Sequence, residues 1–302
     1  MSFRNSSKRR NAKRMAQLRK QGKALNEFAD LSVDVAVKML MRTFIYPQRV
    51  LAKGDVRDVL AKAEQISVRL GQHKLRAYRW QGEPDCPTVA LFHDWEHESG
   101  YWGKYIQGLR DKCCTVIALD APASGHSGGH RLNLRNYINA IHALRSEVGE
   151  INCMVGHGMG GAAVVQALAQ MPQRKQPQRA VLMGVNADSK EIFQRRLESL
   201  GVNEHVRLRF WKQLGRTKEV PLSNYDNVLA ATRLANVKGL LVHDRADARY
   251  PIADAEAIAE AWPGAQLMDF EGFGHELEGL AVLTRLLPFI GAKTMLRTAK
   301  AA

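Results

Sequence analysis

The chain lacks three things: a long uninterrupted apolar run, a set of cysteines large enough to brace a fold, and any acidic residue near its start. The first absence excludes an ordinary membrane span. Phe28–Tyr46, FADLSVDVAVKMLMRTFIY, is mostly apolar, yet Asp30, Asp34, Lys38 and Arg42 recur through it every four residues. That spacing keeps one helical stripe polar and brings an Asp34–Lys38 pair within reach. Packing on the body of the protein is the first expectation for this helix; a second copy or a lipid surface are the alternatives.

Cys86, Cys113, Cys114 and Cys153 form neither a CxxC pair nor a disulfide framework, which predicts buried free thiols in a reducing compartment. No secretory signal is visible, because the basic start is not followed by an apolar stretch with a small-residue cleavage site. The expected location is cytoplasmic, with peripheral membrane attachment as the alternative. Residues 1–23 hold nine basic side chains and no acid. The net charge of +14 is therefore largely a property of the tail, since the other 279 residues carry only +5. Residues 1–23 are expected to be disordered or loosely helical, either a solubilising tail or an anchor to an anionic membrane or polyanion. No metal or cofactor is expected. His93 and His97 lack a convincing third ligand, and the glycine turn at 156–161 lacks the lysine and spacing of a phosphate loop.

What remains is a chain long enough to bury one α/β domain with an insertion. Strand-type and helix-type runs alternate: antiparallel strands at Glu64–Leu70 and His73–Trp80, then strands at Thr88–His93, Cys113–Leu119, Ile151–Val155, Arg179–Gly184, Lys238–His243 and Gln266–Phe270. Helical patterns fall between them, at Ser99–Arg110, Leu132–Val148, Ala162–Gln170, Ile252–Trp262 and Leu277–Ile290. The pattern predicts a mostly parallel, doubly covered sheet of about eight strands. Residues 1–60 form a basic tail and amphipathic helical extension, 61–292 the α/β domain, about 186–235 a helical lid with several basic residues, and 293–302 a terminal tail.

The chain is organised around Ile151–Gln170, INCMVGHGMGGAAVVQALAQ: an apolar strand, a tight glycine turn and an alanine-rich helix. Strand, sharp turn and helix is the context that lifts a nucleophile above an α/β sheet, spelled Gly-x-Ser-x-Gly. Here it reads Gly156-His157-Gly158-Met159-Gly160, so a glycine holds the nucleophile position. Four further motifs follow the same layout: HDWEH (93–97), DAPASGHS (120–127), HDRADARYP (243–251) and GFGH (272–275). From about Glu64 to Ile290 the chain resembles the α/β-hydrolase superfamily, and within it small bacterial esterase-type members. Those usually read HGWEG, DAPAHGxS, GHSMGG, HDxxDxxVP and GxGH at these places.

The resemblance implies an α/β-hydrolase fold. It implies that Asp247 orients a general-base His275, and that the backbone N–H of Met159 forms half of an oxyanion hole. The other half would come from the loop near Asp94 and Trp95. His157 is expected to face the pocket as an inert neighbour, and His93 to fix its loop. Gly158, Asp94, His97 and Ser124 are departures from the family spelling. Together they speak for drift of the whole site rather than one exchanged residue. Gly125-His126-Ser127-Gly128-Gly129 matches the nucleophile spelling letter for letter, but no apolar helix follows it, so Ser127 is set aside.

Three readings follow. In the first, the chain is an impaired or non-hydrolytic member that keeps the His275–Asp247 dyad and a pocket for a small acyl or ester-like ligand, or for a protein partner. In the second, the dyad is the general base of an active enzyme, in water-mediated hydrolysis, lyase or isomerase chemistry, or cofactor-free oxygenation. In the third, the basic start makes it a membrane- or polymer-surface adaptor, and Phe28–Tyr46 is available as a homodimer contact.

Overall fold

In the computed structural model, residues 2–216 and 225–291 are described. The expected 293–302 tail, and Lys218 and Pro221 of the lid segment, lie outside them. Eight strands form one sheet in the order β1-β2-β4-β3-β5-β6-β7-β8. These are β1 (Glu64–Leu70), β2 (His73–Trp80), β3 (Thr88–Phe92), β4 (Thr115–Leu119), β5 (Cys153–His157), β6 (Arg179–Met183), β7 (Lys238–Asp244) and β8 (Gln266–Phe270). β2 runs antiparallel to β1 and β4, and the pairs from β4 to β8 are parallel.

The central strands are Val-, Leu- and Ala-rich because both of their faces are covered. In β3, Ala90 and Phe92 point into one core and Val89 and Leu91 into the other. The first core is closed by α5 (Leu134–Val148), α6 (Met159–Gln170), α9 (Asn227–Ala231) and α10 (Ile252–Ala261). The second is closed by α3 (Asp55–Ala61), α4 (Gly103–Arg110) and α11 (Leu280–Gly291). A third apolar cluster lies apart from both. It joins α1 (Ser2–Leu31) and α2 (Val33–Thr43) to α7 (Ser189–Leu200) and α8 (Glu204–Arg216), the helices that follow β6.

Several expectations need correction. Residues 2–31 are one continuous helix, the helical rather than the disordered of the two expectations for the tail. Phe28–Tyr46 is not one helix: α1 ends at Leu31 and α2 starts at Val33, with the Ser32 hydroxyl accepting from the Val35 N–H. Asp34 pairs with Arg209 on α8, not with Lys38, because α2 packs against α8. Only Cys114 and Cys153 are buried; Cys113 is exposed and Cys86 half-buried, all four as free thiols. The short helix α3 has no counterpart in the predicted elements.

The central unit is also shifted. The strand runs to His157 rather than ending at Val155, and the helix begins at Met159 rather than Ala162. The whole turn is then a single residue, Gly158, with φ 51° and ψ −118°. So sharp a reversal needs glycine or a strained residue. It also presses the start of α6 against the end of β3, where a Cβ on Gly160 would overlap the carbonyls of Phe92 and His93.

Candidate active site

Three loops at the carboxyl edge of the parallel sheet meet at Gly158. The loop after β7 supplies Asp247. Its Oδ1 accepts from the Arg249 N–H at 2.7 Å and the Tyr250 N–H at 3.3 Å, which fixes the carboxylate. The loop after β8 supplies His275. Asp244 holds these two loops together by accepting from Ala246 N–H at 2.8 Å and Phe273 N–H at 2.7 Å. The Tyr101 and Tyr105 hydroxyls donate to the carbonyls of Glu276 and Leu277, and His157 Nε2 to that of His275. Asp247 Oδ2 accepts from His275 Nδ1 at 2.8 Å, so the expected dyad is assembled.

The third loop, after β3, brings Asp94, and here the geometry departs from the expectation. Its carboxylate does not merely lie beside the oxyanion position. Oδ1 accepts from the Met159 N–H at 2.7 Å; Oδ2 accepts from Arg249 Nη1 at 2.7 Å and faces His275 Nε2 at 3.2 Å. A Cβ built on Gly158 would overlap Asp94 Cγ and Oδ1 and stand 2.7 Å from Oδ2. The carboxylate fills the space into which a side chain at 158 would project. Asp94 therefore fits its seat because residue 158 carries no side chain.

Both nitrogens of His275 face carboxylates, which accept but do not donate when ionised. These surroundings favour the imidazolium form of the ring. Burial and the nearby Arg249 push its pKa down, but Asp247 and Asp94 outweigh them and the net shift is upward from 6.5. Burial alone would raise the Asp94 carboxyl; its bond to His275 and the charge of Arg249 instead hold it well below the usual carboxylate range. Asp247 is lowered in the same way, with burial overcome chiefly by His275.

Arg249 and Glu276 extend this network outward. Arg249 Nη2 donates to Glu276 Oε1 at 3.1 Å, and Glu276 Oε2 lies 3.3 Å from His97 Nε2. Burial works against the charge on Arg249, and Asp94 and Glu276 sustain it. His97 stacks on Tyr101, with ring centroids 4.9 Å apart, and Tyr101 stacks on His157 at the same separation. Burial and then His275 depress His157 to about 4, so its ring is neutral at pH 7.

Of the residues expected at the site, Gly158, Asp247, His275, Asp94, His157 and Met159 converge. Trp95, on the same loop as Asp94, is half-buried and packs against the first core. His93 fixes its loop as expected: Nδ1 donates to the Asp94 carbonyl and Nε2 accepts from the Ala121 N–H. Ser127 is structural, buried, and hydrogen-bonded to the Asp120 carbonyl and the Arg76 N–H. Sequence reading missed Arg249 and Glu276. The one signal for them was their position, two residues after the acid and one after the histidine.

A family model described as the alpha/beta hydrolase family matches residues 89–283, which takes in the elbow, Asp247 and His275. The chain belongs to the alpha/beta hydrolase family. No curated protein matches it in sequence. Among solved structures, this alpha/beta hydrolase is similar to an esterase from Pyrococcus furiosus, at 17% identity and a TM-score of 0.63 over 82% of this chain and 97% of the other. It is similar also to a predicted CIB-like hydrolase from Thermoplasma acidophilum, at 17% identity and a TM-score of 0.57 over 76% and 98%. A bromoperoxidase from Bacillus anthracis gives 18% and 0.54 over 76% and 98%. At these identities the likeness shows the fold.

Proposed function

We propose that this alpha/beta hydrolase derives from serine esterases but no longer cleaves esters through an elbow serine, and that it acts by binding a small acyl or ester-like ligand. One observation carries the reading. The Asp94 carboxylate takes up the Met159 N–H and the His275 Nε2, the two groups that an ester carbonyl and an attacking hydroxyl would otherwise use. An ester approaching the elbow meets a fixed negative charge where the oxyanion should form.

The same contacts weigh against the dyad as a general base. A base must be unprotonated at the working pH, and His275 lies between two carboxylates that favour its protonated form. Turnover by the dyad requires Asp94 to leave.

The test is a panel of short acyl esters together with thermal-shift measurements on the same compounds and their carboxylic acids. The expected result is no turnover above background and a raised melting temperature with at least one acyl compound. Hydrolysis abolished by His275→Ala would overturn the non-hydrolytic reading in favour of an active dyad. Hydrolysis unchanged by it would assign the activity elsewhere.

A further inference from the structure

The corner formed by α1 and α2 exposes large apolar side chains that the fold does not use. Leu18, Leu25 and Ala29 of α1 are buried, and Ala36, Val37 and Leu40 of α2 are buried. At 100° per residue the opposite side of α1 carries Lys20, Glu27, whose charge is matched by Lys23 one turn before it, and Leu31. The opposite side of α2 carries Val35 and Met39, four residues apart, interleaved with Lys38 and Arg42, also four apart. Leu31, at the corner itself, is 85% exposed, and Phe28, Val35 and Met39 are about two-fifths exposed. Lys20, Lys38 and Arg42 are exposed as well. Leu31 is among the most exposed large apolar residues of the described chain, although the helix behind it is well packed.

We propose that this corner is an attachment surface for an anionic phospholipid bilayer. Leu31, Val35 and Met39 would enter the acyl boundary while Lys20, Lys38 and Arg42 meet lipid phosphates. Mixed aliphatic and basic side chains on one helix face fit that interface. A nucleic acid offers phosphates but nothing to bury Leu31. A second copy offers apolar surface but brings its own nine bases from residues 1–23 against this set. No helix among the described residues is long and apolar enough to cross a membrane, so the contact is peripheral. Because α1 packs on α7 and α2 on α8, the attachment would hold α7 and α8 at the bilayer surface.

The experiment is co-sedimentation of the full chain with vesicles of phosphatidylcholine alone and of phosphatidylcholine mixed with phosphatidylglycerol, at about 0.15 M salt. Binding to the mixed vesicles only, weakened by added salt, is expected. The double variant L31S/V35S keeps every charge and touches no buried residue. It should bind the mixed vesicles at least roughly tenfold more weakly while keeping the parent melting temperature. Three results would overturn the proposal: no binding to the mixed vesicles, binding by L31S/V35S equal to that of the parent, or a concentration-dependent dimer that L31S/V35S dissolves while vesicle binding stays intact.

Discussion

The pairing of Gly158 with Asp94 gives the sharpest test of the site. Adding a side chain at 158 by Gly158→Ser places a Cβ 2.7 Å from Asp94 Oδ2 and in overlap with Cγ, closer than real Cβ contacts come. The carboxylate must then leave the Met159 N–H, Arg249 and His275 together. Breaking a buried, hydrogen-bonded charge set costs about 3–5 kcal/mol, and a serine held at a positive φ adds about 1–3 kcal/mol of strain. For a chain of this size each kcal/mol moves the melting temperature by about 2 °C. Gly158→Ser should therefore lower it by roughly 6–10 °C from the charge set alone. Asp94→Gly removes the clash in advance. Its own cost is smaller, because Arg249 keeps Glu276 and His275 can release its proton. The double variant should thus be more stable than the sum of the single changes by at least about 1–2 kcal/mol. It should gain more ester hydrolysis that depends on His275 than Gly158→Ser alone, since in the single variant the displaced carboxylate still stands beside the Met159 N–H and the imidazole. Purely additive stabilities, or Gly158→Ser alone matching the parent's melting temperature, would refute the coupling.

Three further outcomes are expected. By NMR, His275 should titrate above 6.5 and move down in Asp94→Asn. Because its folded pKa is raised, the stability it contributes is complete below 6.5 and lost as pH rises through the folded value; a midpoint below 6.5 would contradict the imidazolium assignment. Glu98 is pushed up to about 7 by burial, partly offset by the Gly100 N–H, with Asp120 adding repulsion. Its ionisation therefore costs stability as pH climbs from 4.5 to about 7, by about 3 kcal/mol at most. Glu98→Gln should raise the melting temperature at pH 8 more than at pH 5, and equal shifts at both would count against this. Leu40 is fully buried in the cluster that joins α2 to α7 and α8. Leu40→Ala should cost about 2–5 kcal/mol in denaturant unfolding, whereas a loosely attached extension would lose almost nothing.

Much of the fold was legible in the order of residues. Apolar strand runs such as TVALF and RAVLM name their own burial, because side-chain alternation in a doubly covered sheet leaves no polar face. Asp247 and His275 were legible too, since each follows a recognisable strand and the family resemblance fixes their order. Local pattern misplaced the N-terminal helices. Residues 1–23 carry charge enough to suggest disorder, but α1 also carries Leu18, Leu25 and Ala29 at helical spacing, and the cluster they join is completed by α7 and α8, helices distant in the chain.

What the sequence determined alone is that residue 158 has no hydroxyl and that a carboxylate stands at 94 in place of the usual glycine. What only the tertiary structure decided is that these two facts are one. The residues lie 64 positions apart on different loops, and no local rule links them. They meet because β3 and β5 are hydrogen-bonded neighbours whose carboxyl ends open at the same edge. There the volume left by a missing side chain, the Met159 N–H and two cationic groups together make a seat for one carboxylate.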